Sequence, residues 1–233
     1  QFAIGQNQSI SEVELQTVDV GVATFHEFGE ALKTNTALRR INLNYNFLPI
    51  EDKEANLKAM QSWEEGLKHN NTLQVLELQL QSEAFLLSSF LCLIFCFSPF
   101  YRLGPGLVHL FKGLKENKGL TTLKLGSNDI DEAATELAEA LAHNSTLQHL
   151  HLETLKVKRK EDQRNTFKVF SDGFSKNTGL VSLDLSHNKF MFRKESFASF
   201  SEALGVHPNM KVLHLVGWKL GKKNEVTSSL FFL

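Results

Sequence analysis

Seven short runs of this chain share one spacing of apolar residues, and that recurrence restricts the fold more than any other feature. The clearest run is Leu180–Phe190, L-V-S-L-D-L-S-H-N-K-F. Leu183 and Leu185 are two apart, the spacing of a strand that points both side chains into one core. Asn188 follows three residues later, where a polar side chain can satisfy backbone groups as the chain turns away. A unit this short cannot bury its own apolar face, so it must stack on copies of itself. The copies are Ile10-Val13-Leu15, Leu38-Ile41-Leu43, Leu73-Leu76-Leu78, Leu120-Leu123-Leu125, Leu147-Leu150-Leu152, Leu180-Leu183-Leu185 and Met210-Leu213-Leu215. Their starts at 10, 38, 73, 120, 147, 180 and 210 are separated by 28, 35, 47, 27, 33 and 30 residues.

Three residues before each start stand Asn7, Asn35, Asn70, Asn117, Asn144, Asn177 and then His207, beside Pro208. Asn tolerates a left-handed helix end, so this column is expected to mark where helices stop. Upstream, three further columns sit three and four residues apart, on one helix face. The first is Leu32, Leu67, Leu114, Leu141, Phe174 and Leu204; the second is Phe28, Trp63, Leu110, Leu137, Phe170 and Phe200. The third is Phe25, Met60, Leu107, Ala134, Phe167 and Phe197. Just before the first column the residue is always small: Ala31, Gly66, Gly113, Ala140, Gly173 and Ala203. A small side chain there lets one helix lie close to the next. Strand then helix, repeated, predicts an α/β right-handed solenoid of about seven repeats, with parallel strands on the concave face and helices on the convex face. Residues 1–233 read as a single domain.

The pattern L-x-x-L-x-L-x-x-N-x-[LIF], with a helix and a period of about 28 residues, resembles leucine-rich-repeat proteins of the ribonuclease-inhibitor type over roughly residues 7–220. The same repeat type occurs in the sensing arms of nucleotide-binding immune receptors and in activators of the small GTPase Ran. The resemblance implies a non-catalytic scaffold that binds a protein or peptide on its concave face. The alternatives it carries are a GTPase activator of the Ran-activator kind and the sensing arm of a larger receptor. Ribonuclease inhibitor itself is cysteine-rich and acidic, and this chain is neither.

Charge and composition narrow the partner. Lys plus Arg is 25 and Asp plus Glu is 26, a net charge of −1, whereas a phosphate-tracking surface needs an excess of cations. That balance argues against nucleic acid, and the resemblance implies a protein or peptide partner, with no small-molecule substrate and no membrane expected. The two cysteines, Cys92 and Cys96, make no disulfide framework, and Gln1–Gln8 shows no secretory signal; both features point to the cytoplasm. The first residue is not Met and the chain ends S-S-L-F-F-L, so a fragment or an incomplete gene model is expected.

Residues flanking the inward leucines should face outward on the concave strands. The central row reads Glu14, Asn42, Glu77, Lys124, His151, Asp184, His214; beside it run Arg40, Val75, Thr122, His149, Ser182, Val212 and Asn44, Gln79, Gly126, Glu153, Ser186, Val216. From these rows the residues expected to meet the partner are Arg40, Asn42, Glu77, Lys124, His149, His151, Asp184 and His214. No catalytic residue, cofactor or metal is expected. His149, His151, Asp184 and His214 are of ligand type, but side chains on stacked strands stand parallel rather than converging. Ser182, Ser186, His187 and Asp184 have no nucleophile elbow around them.

Two segments break the grammar. Lys156–Lys160, K-V-K-R-K, is a basic run expected in the loop before a helix. Residues 82–102 read as an apolar insertion in the third repeat, whose 47 residues would otherwise match the common period. From Phe85 to Phe100, thirteen of sixteen residues are Phe, Leu, Ser or Pro, whose codons are pyrimidine-rich, so translated intron is the favoured origin, with a genuine membrane-seeking or partner-binding loop as the alternative.

Overall fold

The computed structural model describes residues 3–18, 20–46, 53–79, 103–155, 160–188 and 194–218. The expected insertion and residues 156–159 of the basic run lie outside them. Strands and helices alternate as α1 (Ala3–Gln6), β1 (Glu12–Glu14), α2 (Val22–Leu32), β2 (Arg40–Asn42), α3 (Lys53–His69), β3 (Val75–Glu77), α4 (Leu107–Glu116), β4 (Thr122–Lys124), α5 (Ala134–His143), β5 (His149–His151), α6 (Lys160–Phe174), β6 (Ser182–Asp184), α7 (Lys194–Val206) and β7 (Val212–His214). The strands form one parallel sheet in the order β1-β2-β3-β4-β5-β6-β7. Every pair keeps the same register, with Val13, Ile41, Leu76, Leu123, Leu150, Leu183 and Leu213 in one line. The protein is an α/β leucine-rich-repeat solenoid, strands on the concave side and helices on the convex.

The sequence columns are the core. In the five interior repeats all three strand leucines or isoleucines are at most 2% exposed. The helix columns meet them from the other side, with Trp63, Leu110, Leu137 and Phe200 at 0%. Trp63 is polar at one end, and its Nε1 donates to the Phe25 carbonyl at 2.8 Å, so its burial leaves no donor unmade. In the terminal repeats Val13, Leu15, Leu213 and Leu215 are only partly buried, because each has a neighbour on one side. The small-residue column works by close approach. A Cβ at Gly173 would stand 2.4 Å from both Cα and O of Ala138 on α5, and one at Gly66 would stand 2.4 Å from the Gly29 carbonyl.

The asparagine column does something other than end helices in a left-handed conformation. Asn117 and Asn144 have φ of −65° and −87° with extended ψ. Their side chains instead tie each repeat to the one before it. Asn117 Nδ2 donates to the carbonyls of Leu67 and Asn70, both at 2.7 Å, while its Oδ1 accepts from the backbone N–H of Gly119 and Leu120. Asn35, Asn70, Asn144 and Asn177 repeat this arrangement, and all five are at most 3% exposed. One buried amide thus satisfies four backbone groups that the turn from helix to strand leaves open. The burial also accounts for Asn70 and Asn144, which match a glycosylation acceptor pattern, being spent inside the core. His207 takes this slot in the last repeat, stacked on Phe174 with ring centres 4.8 Å apart and with Nε2 3.3 Å from Asn177 Oδ1.

The left-handed residues come after the strands: Thr17, Tyr45, Ser127, Thr154, His187 and, in the last repeat, Gly217 all have positive φ. This turn delivers the next residue inward, where Asn46, Asn128 and Asn188 form a second ladder. Asn188 Nδ2 donates to the carbonyls of Leu152 and Leu185, and its Oδ1 accepts from Leu155 N–H at 2.7 Å. Trp218 stands in that slot in the last repeat, its Nε1 donating to the Leu185 carbonyl at 2.8 Å.

Candidate functional site

The shared register carries the outward residues into rows across the concave face. Arg40, Val75, Thr122, His149, Ser182 and Val212 are register partners, as are Asn42, Glu77, Lys124, His151, Asp184 and His214. Neighbours within a row are one strand spacing apart, about 5 Å.

At one end of these rows a carboxylate is held by two cations. Glu77 Oε1 accepts from Arg40 Nε at 3.1 Å and Nη2 at 2.9 Å. Its Oε2 accepts from Lys124 Nζ at 3.1 Å and Asn44 Nδ2 at 3.2 Å. The Arg40 guanidinium also reaches Glu14 at 2.8 Å on the first strand. Glu77 is 4% exposed, while Arg40 and Lys124 remain about one-third exposed along their side chains. Burial pushes the Glu77 carboxyl up, but the hydrogen bonds and charges of Arg40 and Lys124 together outweigh it and hold the group below its ordinary 4.5. A depressed folded-state value means the network's stabilisation is fully present above about pH 4.5 and is lost as pH falls through the folded value. Glu77→Gln is therefore expected to lower the urea midpoint at neutral pH, with the gap to the parent closing as the pH is taken down to about 3. A gap independent of pH would mean the carboxylate charge contributes nothing.

The eight residues expected to meet a partner divide into two kinds. Arg40, Lys124, His149, His151 and Asp184 are half-buried, and His214 is exposed. Asn42 and Glu77 are buried, against the expectation that the whole central row faces solvent. Asn42 Oδ1 turns back to accept from its own Asn44 N–H at 3.1 Å, and Glu77 is covered by its cations. Asp184 makes the same local contact, Oδ1 to Ser186 N–H at 2.8 Å, while its Oδ2 lies 4.0 Å from His151 Nδ1. Burial first, then the Lys124 charge, lowers the His151 pKa, with Asp184 opposing them. The imidazole is thus neutral near pH 7.

The third row adds Gln79 and Glu153, which lie outside the set picked from the sequence. Gln79 Nε2 on the third repeat donates to Glu153 Oε1 on the fifth, across the repeat between them. Gly126 makes this crossing feasible, because a Cβ there would stand 2.6 Å from Glu153 Cδ and Oε1. A glycine between two long polar residues of one row is the signal in the sequence for such a bridge. Burial first raises the Glu153 pKa, and the nearby Asp184 charge adds to it.

No family model matches this chain, and no curated protein matches it either. Solved structures do. The leiomodin-1 actin-binding site 2 structure is 17% identical with a TM-score of 0.45, covering 74% of this chain and 86% of that one. The tropomodulin C-terminal domain of Caenorhabditis elegans is 10% identical with a TM-score of 0.42, covering 90% and 91%. Both of these structures are of the tropomodulin and leiomodin kind, so the expected ribonuclease-inhibitor subtype is corrected and is not carried further. The repeat period and the strand-helix alternation stand; the subtype drawn from them does not. Among the described residues no helix is long and apolar enough to cross a membrane.

Proposed function

We propose that this protein is a non-catalytic scaffold whose concave face docks a protein or peptide. The observation that carries the reading is the pre-ordered charge row: Arg40 and Lys124 are fixed over buried Glu77, with their outer faces accessible. Side chains already held in one geometry lose little entropy on binding, which favours affinity. Lys124, His151, Asp184 and His214 in one row, and His149 in the row beside it, extend this surface with mixed sign, suited to a partner that also alternates charge. Asn42 and Glu77 serve this surface from beneath, by holding the turn and the cations. The reading calls for no cofactor, nucleic acid or small-molecule substrate.

Reversing charge with Lys124→Glu and Asp184→Lys is expected to abolish capture of the partner from a cell lysate and its cross-links to the concave strands, with the circular dichroism spectrum unchanged. Exchanging Glu30→Lys on α2 and Lys33→Glu just past its end, an ion pair of 2.7 Å on the helical side, should leave capture intact. Because Lys124 also touches Glu77, His214→Glu supplies an exposed single change on the same row. Equal loss from the helical pair would remove the concave-face assignment.

A further inference from the structure

The side chains of two neighbouring strands come together where parallel, splayed side chains were expected. His151, Glu153 and Asp184 each offer one ligand atom, and these three atoms lie within 4.8 Å of one another. His151 and Glu153 are two residues apart on the same face of the fifth repeat, and Asp184 is the register partner of His151 on β6. We propose that these three residues form a binding site for a divalent transition-metal ion of the zinc type, beyond the docking role given to the same face.

Three observations carry it. The donor set is one imidazole and two carboxylates, the mixture that suits zinc rather than calcium or magnesium, which favour oxygen alone. Glu153 is already oriented: Gln79 holds Oε1, whereas Oε2 is shielded from solvent and accepts no hydrogen bond among the described residues. That division, one oxygen tethered and the other free, is how outer hydrogen bonds aim a ligating carboxylate. Finally, the two carboxylates stand close, and Lys124, whose charge also reaches Glu153, has its ammonium hydrogen-bonded to Glu77 at 3.1 Å. A bound dication would relieve the repulsion between the two carboxylates. Tetrahedral zinc at about 2.1 Å from each ligand needs donor separations of about 3.4 Å, a closure within reach of side-chain torsions. Water or His214, next to Asp184 along the row, would complete the shell.

The test uses the full chain with no partner present. Isothermal titration with zinc chloride is expected to show one site per chain with a dissociation constant in the micromolar range or tighter, and cobalt(II) should give the visible absorption of a low-coordinate site. Glu153→Gln, a residue outside the proposed docking set, should weaken zinc at least about tenfold, and His151→Ala similarly. Magnesium should not compete. The proposal is overturned if the parent binds no stoichiometric zinc, or if both variants bind as well as the parent, which would assign the binding to scattered surface histidines. Either failure leaves partner capture and its charge-reversal result untouched, so the two readings fail separately.

Discussion

Replacing Asn117 by alanine is expected to destabilise the protein by about 3–6 kcal/mol, close to the largest loss any single change can produce here. The side chain is 0% exposed and makes four hydrogen bonds, two given to the carbonyls of Leu67 and Asn70 and two received from the amides of Gly119 and Leu120. Alanine removes all four partners at once. Each backbone group left unpaired in the interior costs about 1–3 kcal/mol, and some relief through local shifts keeps the sum below four times that. Water is a poor substitute, because the slot is closed by the packed leucines of both repeats. Asn117→Asp separates the two halves of the amide's role. It keeps the acceptor for Gly119 and Leu120 but turns a carboxylate oxygen toward two carbonyls, so it should be no better than alanine. Urea unfolding followed by circular dichroism checks both. A loss under about 1 kcal/mol for the alanine variant would show that the ladder is decorative.

That ladder also shows where the sequence was informative and where it was not. The position of every interior asparagine is legible, because it sits at a constant offset from three apolar residues. Its job is not, since one residue type can end a helix by its own backbone or bridge to a neighbour by its side chain. The φ values decide for bridging, and the left-handed residues prove to be of mixed chemistry. Thr17, Tyr45, Ser127, Thr154 and His187 differ in size and are not the Gly or Asn usual at such positions, so the backbone is what reveals that column. The rows of the concave face were legible as rows, because register follows from the repeat. Burial within them was not. Asn42 and Glu77 sink because of contacts to particular neighbours, and such contacts have no period. The Gln79–Glu153 bridge depends on a missing side chain at Gly126 on the rung between them, which the spacing between leucines does not weigh.

The interior position of a repeat, rather than the chemistry of its residues, should govern what its core is worth. Leu150→Ala is expected to cost about 2–5 kcal/mol, as removal of a fully buried leucine side chain does when the cavity cannot collapse. Leu150 is 0% exposed and lies in register between Leu123 and Leu183, with packed repeats on both sides. The close approach of α6 to α5 at Gly173 gives the walls little room to move inward. Val13→Ala tests the same column at its end. Val13 is only partly buried, pairs on one side with Ile41, and loses less volume, so its cost should be about 1 kcal/mol. In an array held by nearest-neighbour contacts, the interior change also weakens two interfaces where the terminal one weakens one. Urea midpoints measured on both variants under one condition give the comparison. A larger shift at Val13 than at Leu150 would mean that the seven strands do not stack in chain order.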